Sequence, residues 1–348
     1  MNNKASCLLS GNITYQFTSY KNIIPSETVI KEKNIVDSID VTQNKQGGAN
    51  VIVKHNGDKL SFKNVYHKIV VEGSSINIAS ILTKLGCKTS VYAPIGNDPY
   101  GLMISSSLRE AGINFHPIIS KETAITASIT ENGKTTLFCV KPEYSFDVQS
   151  LTKKIISENP TYIIATSCRN QQDLALTREA FLRCPDAKHA FIPHKALLWD
   201  ENKKPTATFQ DTLDLTNILQ VNLAEFYILT NKEKKETFEI KDMKRLTKRF
   251  NDHDPEAIIV TQGKDGSASV LFSNGKHEFS QHNACYIGNI IDTNGSGDSY
   301  LAAFIKASML NFPHKNKINF AAWVAARNGL GLGGNFAQIE ERDVLRFQ

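Results

Sequence analysis

Asp292-Thr293-Asn294-Gly295-Ser296-Gly297-Asp298 places a carboxylate at the end of a glycine turn. The run follows an apolar pair, Ile290-Ile291, that could close a strand, and precedes a helical stretch over 300–307. Gly295 and Gly297 permit a tight turn and a close approach of backbone to a ligand. Such a turn offers free N–H groups at a helix N-terminus, where the helix dipole also favours negative charge. That is chemistry for an anion, and Asp298 is the group that could take a proton from an attacking hydroxyl. An ordinary Asp cap on a glycine turn fits the same residues, and a short glycine motif alone does not separate the two.

Three further groups fall near the expected C-terminal ends of strands, the edge at which open α/β sheets bind ligands. Asn222 and Glu225 stand at i and i+3, on one side of a helix start. An amide and a carboxylate there suit a hydrated Mg²⁺, which takes oxygen ligands and keeps its waters. They equally suit a capping box, with Asn222 as the cap and Glu225 at the third helical position. Thr261-Gln262-Gly263-Lys264-Asp265-Gly266 joins a hydroxyl to a glycine turn that could contact phosphate or ribose, or could be a plain hairpin turn. Gly73 to Asn77 brings small residues and an amide to a helix start, which serves a polar ligand or a simple strand-to-helix connection.

The elements that would position these groups follow from the pattern. The chain has 348 residues, of which 41% are hydrophobic, enough for a large core. Net charge is +5, and no basic run is interleaved with aromatics, so nucleic acid is not an expected partner. No stretch approaches the roughly 20 apolar residues of a membrane span, and Cys7-Leu8-Leu9 is too short for a signal-peptide core. Six cysteines without C-x-x-C spacing read as reduced thiols, which sets the expectation of a cytoplasmic protein.

From residue 13 to 71 the texture is β-branched and aromatic, with turn signals at 21–22, at 47–48 and at Asn56-Gly57-Asp58. Residues 115–140 share that texture, with a hairpin signal at Asn132-Gly133, and are expected to pair with 13–71 in one small sheet. Elsewhere helical and strand patterns alternate, which predicts layered α/β structure with a parallel sheet. The charged run 231–249 reads as a solvated helix face, and His194-Lys195 as an ordinary loop.

The order of the four motifs resembles the ribokinase-like (PfkB) family of sugar and nucleoside kinases over nearly the whole chain. Residues 292–298 are similar to its D-T-x-G-A-G-D signature, with Ser296 in place of Ala. Gly73, Asn77, Gly86, Gly96, Asp98 and Gly101 match its N-terminal signature. Asn222 and Glu225 match its N-x-x-E motif, and Thr261, Gly263 and Gly266 its nucleotide-binding turn. The resemblance implies a three-layer α/β/α fold with a mostly parallel central sheet and a small β-sheet lid. The expected body is 1–12, 72–114 and 141–348, and the expected lid 13–71 and 115–140.

It also implies an ATP- and Mg²⁺-dependent kinase acting on a hydroxyl of a sugar or nucleoside. Asp298 would be the base, and the amides of Asn294, Gly295, Ser296 and Gly297 the anion hole. Thr261, Gly263, Gly266, Asn222 and Asn328 would serve ATP, which would also lie against 285–291. Asn222 and Glu225 would organise the metal through water. Gln16, Gly73, Ser74 and Asn77 would face the acceptor. Monovalent-cation dependence stays open, as does the choice between a monomer and a lid-mediated homodimer.

Asn294 and the long first lid segment lean toward the adenosine kinase branch. Two departures lie on the acceptor side. Counting five residues from Gly11 places Gln16 where the family has Asp, and Glu72 replaces the first glycine of a Gly-Gly pair. Glu72 disfavours a phosphosugar acceptor. The alternative these departures keep open is a nucleotide-binding regulatory protein of the same fold.

Overall fold

The computed structural model describes residues 4–8, 12–18, 34–35, 37–43, 49–131, 134–140, 143–166, 168, 170–193, 206–231, 238–250, 254–273 and 275–348. Gly11, the turn signals at 21–22, 47–48 and 132–133, and His194-Lys195 lie outside the described residues, as does the 232–237 part of the charged run.

Among the described residues nine strands make the body sheet. In chain order they are β1 (Lys4–Leu8), β7 (Lys88–Gly96), β8 (Asn114–Ser120), β11 (Tyr162–Thr166), β12 (Lys188–Ile192), β13 (Ile218–Asn222), β14 (Ala257–Thr261), β15 (Ser267–Ser273) and β16 (Lys276–His282). Their order across the sheet is β16-β15-β14-β13-β12-β11-β1-β7-β8, parallel from β14 to β8 and antiparallel at the β14–β15–β16 edge. The strand order reverses beside β1, with β7 on one flank and β11 on the other. A crevice outside the carboxyl ends of the strands is expected at such a reversal.

The helices are α1 (Ser74–Lys84), α2 (Pro99–Glu110), α3 (Val148–Ser157), α4 (Gln171–Arg183), α5 (Ala207–Asp214), α6 (Leu223–Leu229), α7 (Met243–Thr247), α8 (Ser296–Met309) and α9 (His314–Asn328). Parallel strands covered on both faces read as continuous apolar runs. Accordingly every residue of β11 is buried. Its alternate side chains enter two cores: Tyr162 and Ile164 join α1, α2, α8 and α9, while Ile163 and Ala165 join α3 to α7. That is the expected three-layer body.

The second sheet has the order β3-β10-β9-β2-β6-β5-β4. It is built from β2 (Asn12–Thr18), β3 (Asn34–Ile35), β4 (Ser38–Gln43), β5 (Ala49–His55), β6 (Asp58–Glu72), β9 (Ile125–Glu131) and β10 (Lys134–Val140). The β5–β6 turn uses Asn56 and Gly57 at φ 49° and 87°, the left-handed pair that a two-residue hairpin needs. β6 is the long element: its first half pairs with β5, its second half with β2, and it ends at the mouth of α1.

Two expectations are corrected. Residues 115–120 are not lid: β8 pairs in parallel with β7 at the edge of the body sheet, and the second lid segment begins only at Ile125. Ile290-Ile291 does not close a strand; the pair lies in irregular backbone, 46% and 57% exposed.

Asp98 marks the junction between the body and the second sheet. Its carboxylate caps α2 through the Gly101 N–H and accepts from both the N–H and the hydroxyl of Thr123, just before β9. Burial alone would push Asp98 up, but these donors outweigh it and hold the group below its ordinary value.

Candidate active site

Gly295 caps α8 in the left-handed region, at φ 68°. A side chain there would be strained by its backbone and would overlap the Gly334 carbonyl, so only glycine fits. The turn starts α8 and makes Asp298 its third residue.

Opposite it stands Asn77 of α1, 3% exposed, whose Nδ2 donates to Asp298 Oδ2 at 2.8 Å. Ser74 is the second donor to that carboxylate. Asp298 is half-buried as a residue. Desolvation is the larger influence. It pushes the group up to about 6, against the lowering by Asn77 and Ser74.

The amides expected to line an anion hole are not equivalent. The Asn294 N–H donates to Asp292 Oδ1 at 2.9 Å, and that of Ser296 to the Thr293 carbonyl at 3.2 Å. The expected hole over 294–297 is therefore narrowed at its first and third members, and Gly295 and Gly297 remain its candidates. The Gly297 carbonyl is held from beneath by Gln220 Nε2 at 2.9 Å, a side chain of β13 that is 3% exposed.

Asn328, expected as an ATP contact, is fully buried and spent on backbone. Its Nδ2 donates to the Asn294 carbonyl at 2.8 Å, and its Oδ1 accepts from the Ala337 N–H at 3.2 Å. It braces the signature turn and presents no face to a nucleotide.

Sequence reasoning missed what lies against that turn. Gly333 and Gly334 pack on it backbone to backbone. The second Asp292 oxygen accepts from the Gly333 N–H, and a side chain on Gly334 would overlap the Asn77 amide. Asn335 Nδ2 then donates to the Val71 carbonyl at the end of β6. The glycine spacing Gly329-Leu330-Gly331-Leu332-Gly333-Gly334 was the available signal.

On the side expected to face an acceptor, Gly73 has φ 123°, a conformation suited to glycine, and leads β6 into α1. Glu72 is 2% exposed, and its Oε2 accepts from Asn294 Nδ2. Gln16 sits in β2, its backbone paired with Lys68 and Ser128; its side chain lies outside the described residues.

On the other half of the sheet, Asn222 and Thr261 are register partners at the ends of β13 and β14. Asn222 and Glu225 do form a capping box, each side chain bonded to the other's N–H at 3.0 Å. No group of three or more His, Cys, Asp or Glu among the described residues could hold a metal directly. An exposed amide and a half-buried carboxylate acting through water fit Mg²⁺, which keeps part of its hydration shell.

Gly263 and Gly266 have φ 60° and 90°, and a side chain on Gly266 would overlap the His282 carbonyl. Beside this turn Tyr286 is 78% exposed, with its hydroxyl donating to the Lys264 carbonyl, and Ile290 and Ile291 are exposed further along the chain.

Residues 69–329 match the pfkB family of carbohydrate kinases. The chain belongs to that family. The matched span contains the Gly73–Asn77 segment, Asn222, Glu225, Thr261 and the 292–298 turn, and leaves Gln16 outside.

Similar proteins include the 5-dehydro-2-deoxygluconokinase of Geobacillus kaustophilus, 23% identical over 268 residues, or 74% of this chain and 78% of that one. The fructokinase of Salmonella typhimurium is 20% identical over 248 residues, covering 69% and 77%. Among solved structures, the ribokinase of Giardia lamblia superimposes with a TM-score of 0.70 at 17% identity, covering 99% of each chain. The nucleoside kinase of Methanocaldococcus jannaschii gives 0.66 at 18% identity, covering 99% and 97%. These likenesses establish the ribokinase-like fold. The lean toward the adenosine kinase branch gains no support from these relatives. No described helix is long and apolar enough to cross a membrane.

Proposed function

We propose that this pfkB-family protein transfers the γ-phosphoryl group of ATP to a hydroxyl of a small sugar-like acceptor. The observation that carries the reading is Asp298. It is an acid at the start of α8, desolvated by the protein around it, oriented by Asn77 and Ser74, and one residue beyond a glycine turn.

In the reaction the acceptor oxygen attacks the γ-phosphorus as its proton passes to the Asp298 carboxylate. The bond from that phosphorus to the β–γ bridging oxygen breaks, and ADP leaves. Such a transfer needs positioning and charge stabilisation more than covalent help from the protein. The Gly295 and Gly297 amides supply fixed donors at the site of transfer. Thr261, Gly263 and Gly266 hold the nucleotide, with its base along Tyr286 and Ile290. Asn222 and Glu225 would hold hydrated Mg²⁺, which neutralises phosphate charge when bound. The lid strands cover the acceptor and keep out water that would otherwise accept the phosphoryl group.

By their names the relatives act on a deoxygluconate derivative in one case and on fructose in the other. A sugar or sugar-derived acceptor is therefore favoured over a nucleoside. The test is ADP formation from Mg·ATP with a panel of sugars, sugar acids and nucleosides. Turnover with at least one sugar-type acceptor, reduced ~10²–10⁴-fold by Asp298→Asn with ATP binding retained, is the expected result. ATP binding without turnover on any acceptor would replace this reading with a regulatory one.

A further inference from the structure

β13 carries a polar side chain into an apolar core. Ile218, Leu219 and Val221 are at most 1% exposed, and Gln220 among them is 3% exposed. Its register partner on β14 is Ile259, also buried. Burying an amide in such surroundings is costly unless it has a bond to make. Only one end of this amide makes one. Nε2 donates to the Gly297 carbonyl at 2.9 Å, while Oε1 meets no donor among the described residues. The donor end is what the strand gains from a glutamine here.

The Gly297 carbonyl belongs to the peptide whose N–H is that of Asp298. This peptide lies in the first turn of α8, just beyond the left-handed Gly295. Helix ends fray, and glycine has more backbone freedom to lose than any other residue. Packing does not demand glycine at 297, since a methyl there would meet Gln220 Nε2 at 3.7 Å, an ordinary contact. The loosest peptide before the acid is thus held by a side chain from the sheet. Two residues further along β13, on the same face, comes Asn222, at the edge proposed to organise metal and nucleotide.

We infer that Gln220 is a positioning residue for phosphoryl transfer: it holds the Gly297–Asp298 peptide against β13 and so keeps the acid aligned with the nucleotide half of the site. The inference rests on the phosphotransferase reading above. Transfer needs the reacting groups closely placed, and small displacements cost rate. Asn77 and Ser74 orient the carboxylate from the α1 side, whereas Gln220 sets the backbone from which it hangs.

Gln220→Met keeps the length of the side chain and removes the donor. The Gly297 carbonyl retains the helical N–H four residues on, so no group is orphaned. Thermal unfolding is expected at or above the wild-type temperature, because an apolar side chain replaces a half-bonded amide. Turnover is read as ADP release with Mg·ATP and whichever of fructose, ribose, gluconate and adenosine reacts fastest. Its kcat is expected to fall at least ~10-fold, with the KM for ATP within ~2-fold of wild type. The pH at which kcat/KM levels stays that of wild type, because Asn77 and Ser74 still hold the carboxylate.

Two comparisons separate this role from general support. In an Asp298→Asn background, Gln220→Met is expected to cost less than ~2-fold, since the group it aligns is already gone. Tyr300 OH and Ser267 Oγ, 3.0 Å apart and buried, tie α8 to β15 by a second bond, beyond the Gly297–Asp298 peptide. Tyr300→Phe is expected to keep kcat within ~2-fold. An unchanged kcat in Gln220→Met overturns the inference, as does a kcat that falls together with the unfolding temperature. So does an equal loss in Tyr300→Phe, or an undiminished loss on top of Asp298→Asn, either of which would show that α8 needs anchoring in general and not this bond. Those results leave the kinase reading standing. No ADP from the wild-type protein with any acceptor defeats that reading and this inference with it.

Discussion

At the scale of single residues, the desolvation that suits Asp298 to the proposed role of base also sets its pH behaviour. Its folded value, about 6, lies above the ordinary 3.8, so the folded protein binds this proton more tightly than the unfolded chain. Base catalysis needs the ionised form. The rate kcat/KM is therefore expected to rise with pH through about 6 and then level, which a pH–rate profile checks. Stability runs the other way. Ionised Asp298 lowers stability above about 6, and the cost fades as pH falls toward 4. Asp298→Asn, neutral at every pH, is then expected to unfold at higher denaturant at pH 8, by on the order of 2 kcal/mol, and to match wild type near pH 4. A variant equally stable at both pH values would show that burial is not what lifts the group. Asp298 was legible in the sequence because its setting is local: two glycines, a turn and a helix start. The role of Asn328 was not, because burial and the carbonyls it meets are set by tertiary packing.

At the scale of elements, two turn-to-helix junctions carry separable roles. Asn222 and Glu225 close a capping box at the start of α6 whether or not they also organise a metal. Glu225→Gln keeps the box, since a glutamine side chain can return the same bond, but removes the charge. Unchanged thermal stability together with at least a ~10-fold higher Mg²⁺ requirement is the expected pair of results. An unchanged Mg²⁺ titration would leave the residue a cap and nothing more. The Gly333–Gly334 stretch is the other junction. Gly334→Ala forces a Cβ onto the Asn77 amide, which must then move away from Asp298. A displacement of an ångström at reacting groups can cost ~10²-fold, so kcat should fall by roughly that factor while ATP affinity is kept. Element types were readable where hydrophobic period and turn residues agreed, as at the Asn56-Gly57 hairpin. Sheet membership was not. Residues 114–120 have the same strand texture as the lid, and only the pairing of β8 with β7 assigns them to the body. Ile290-Ile291 misled for a related reason: an apolar pair beside a signature turn suits a strand or an open nucleotide strip equally well.

At the scale of the whole molecule, the β6–α1 crossing links the second sheet to the body beside Asp298. β6 runs from the β5 hairpin through the β2 pairing to Glu72, and the turn into α1 is made at Gly73, with φ 123° and ψ 144°. Within four residues of that turn lie a bond to Asn294, a bond to Asp298 from Ser74 and a bond to Asp298 from Asn77. The Asn335 side chain, which holds the Val71 carbonyl, adds a fourth tie from the loop behind the signature. The end of β6 and the proposed base are thus tied together by the same few residues. The turn proposed to hold the nucleotide, at β14–β15, belongs to the other half of the sheet. Gly73→Ala is a test of that division. An L side chain at this φ is strained, so the β6–α1 junction must relax and the lid strand re-aim. The expected signature in two-substrate kinetics is a KM for the acceptor raised at least ~10-fold and a lower kcat, with the KM for ATP within ~2-fold of wild type. Because a re-aimed lid admits water, ATP hydrolysis without acceptor should rise relative to transfer. If ATP and acceptor KM rise together, the two halves of the cleft are not independent, and the junction at Gly73 supports the whole site rather than its acceptor side.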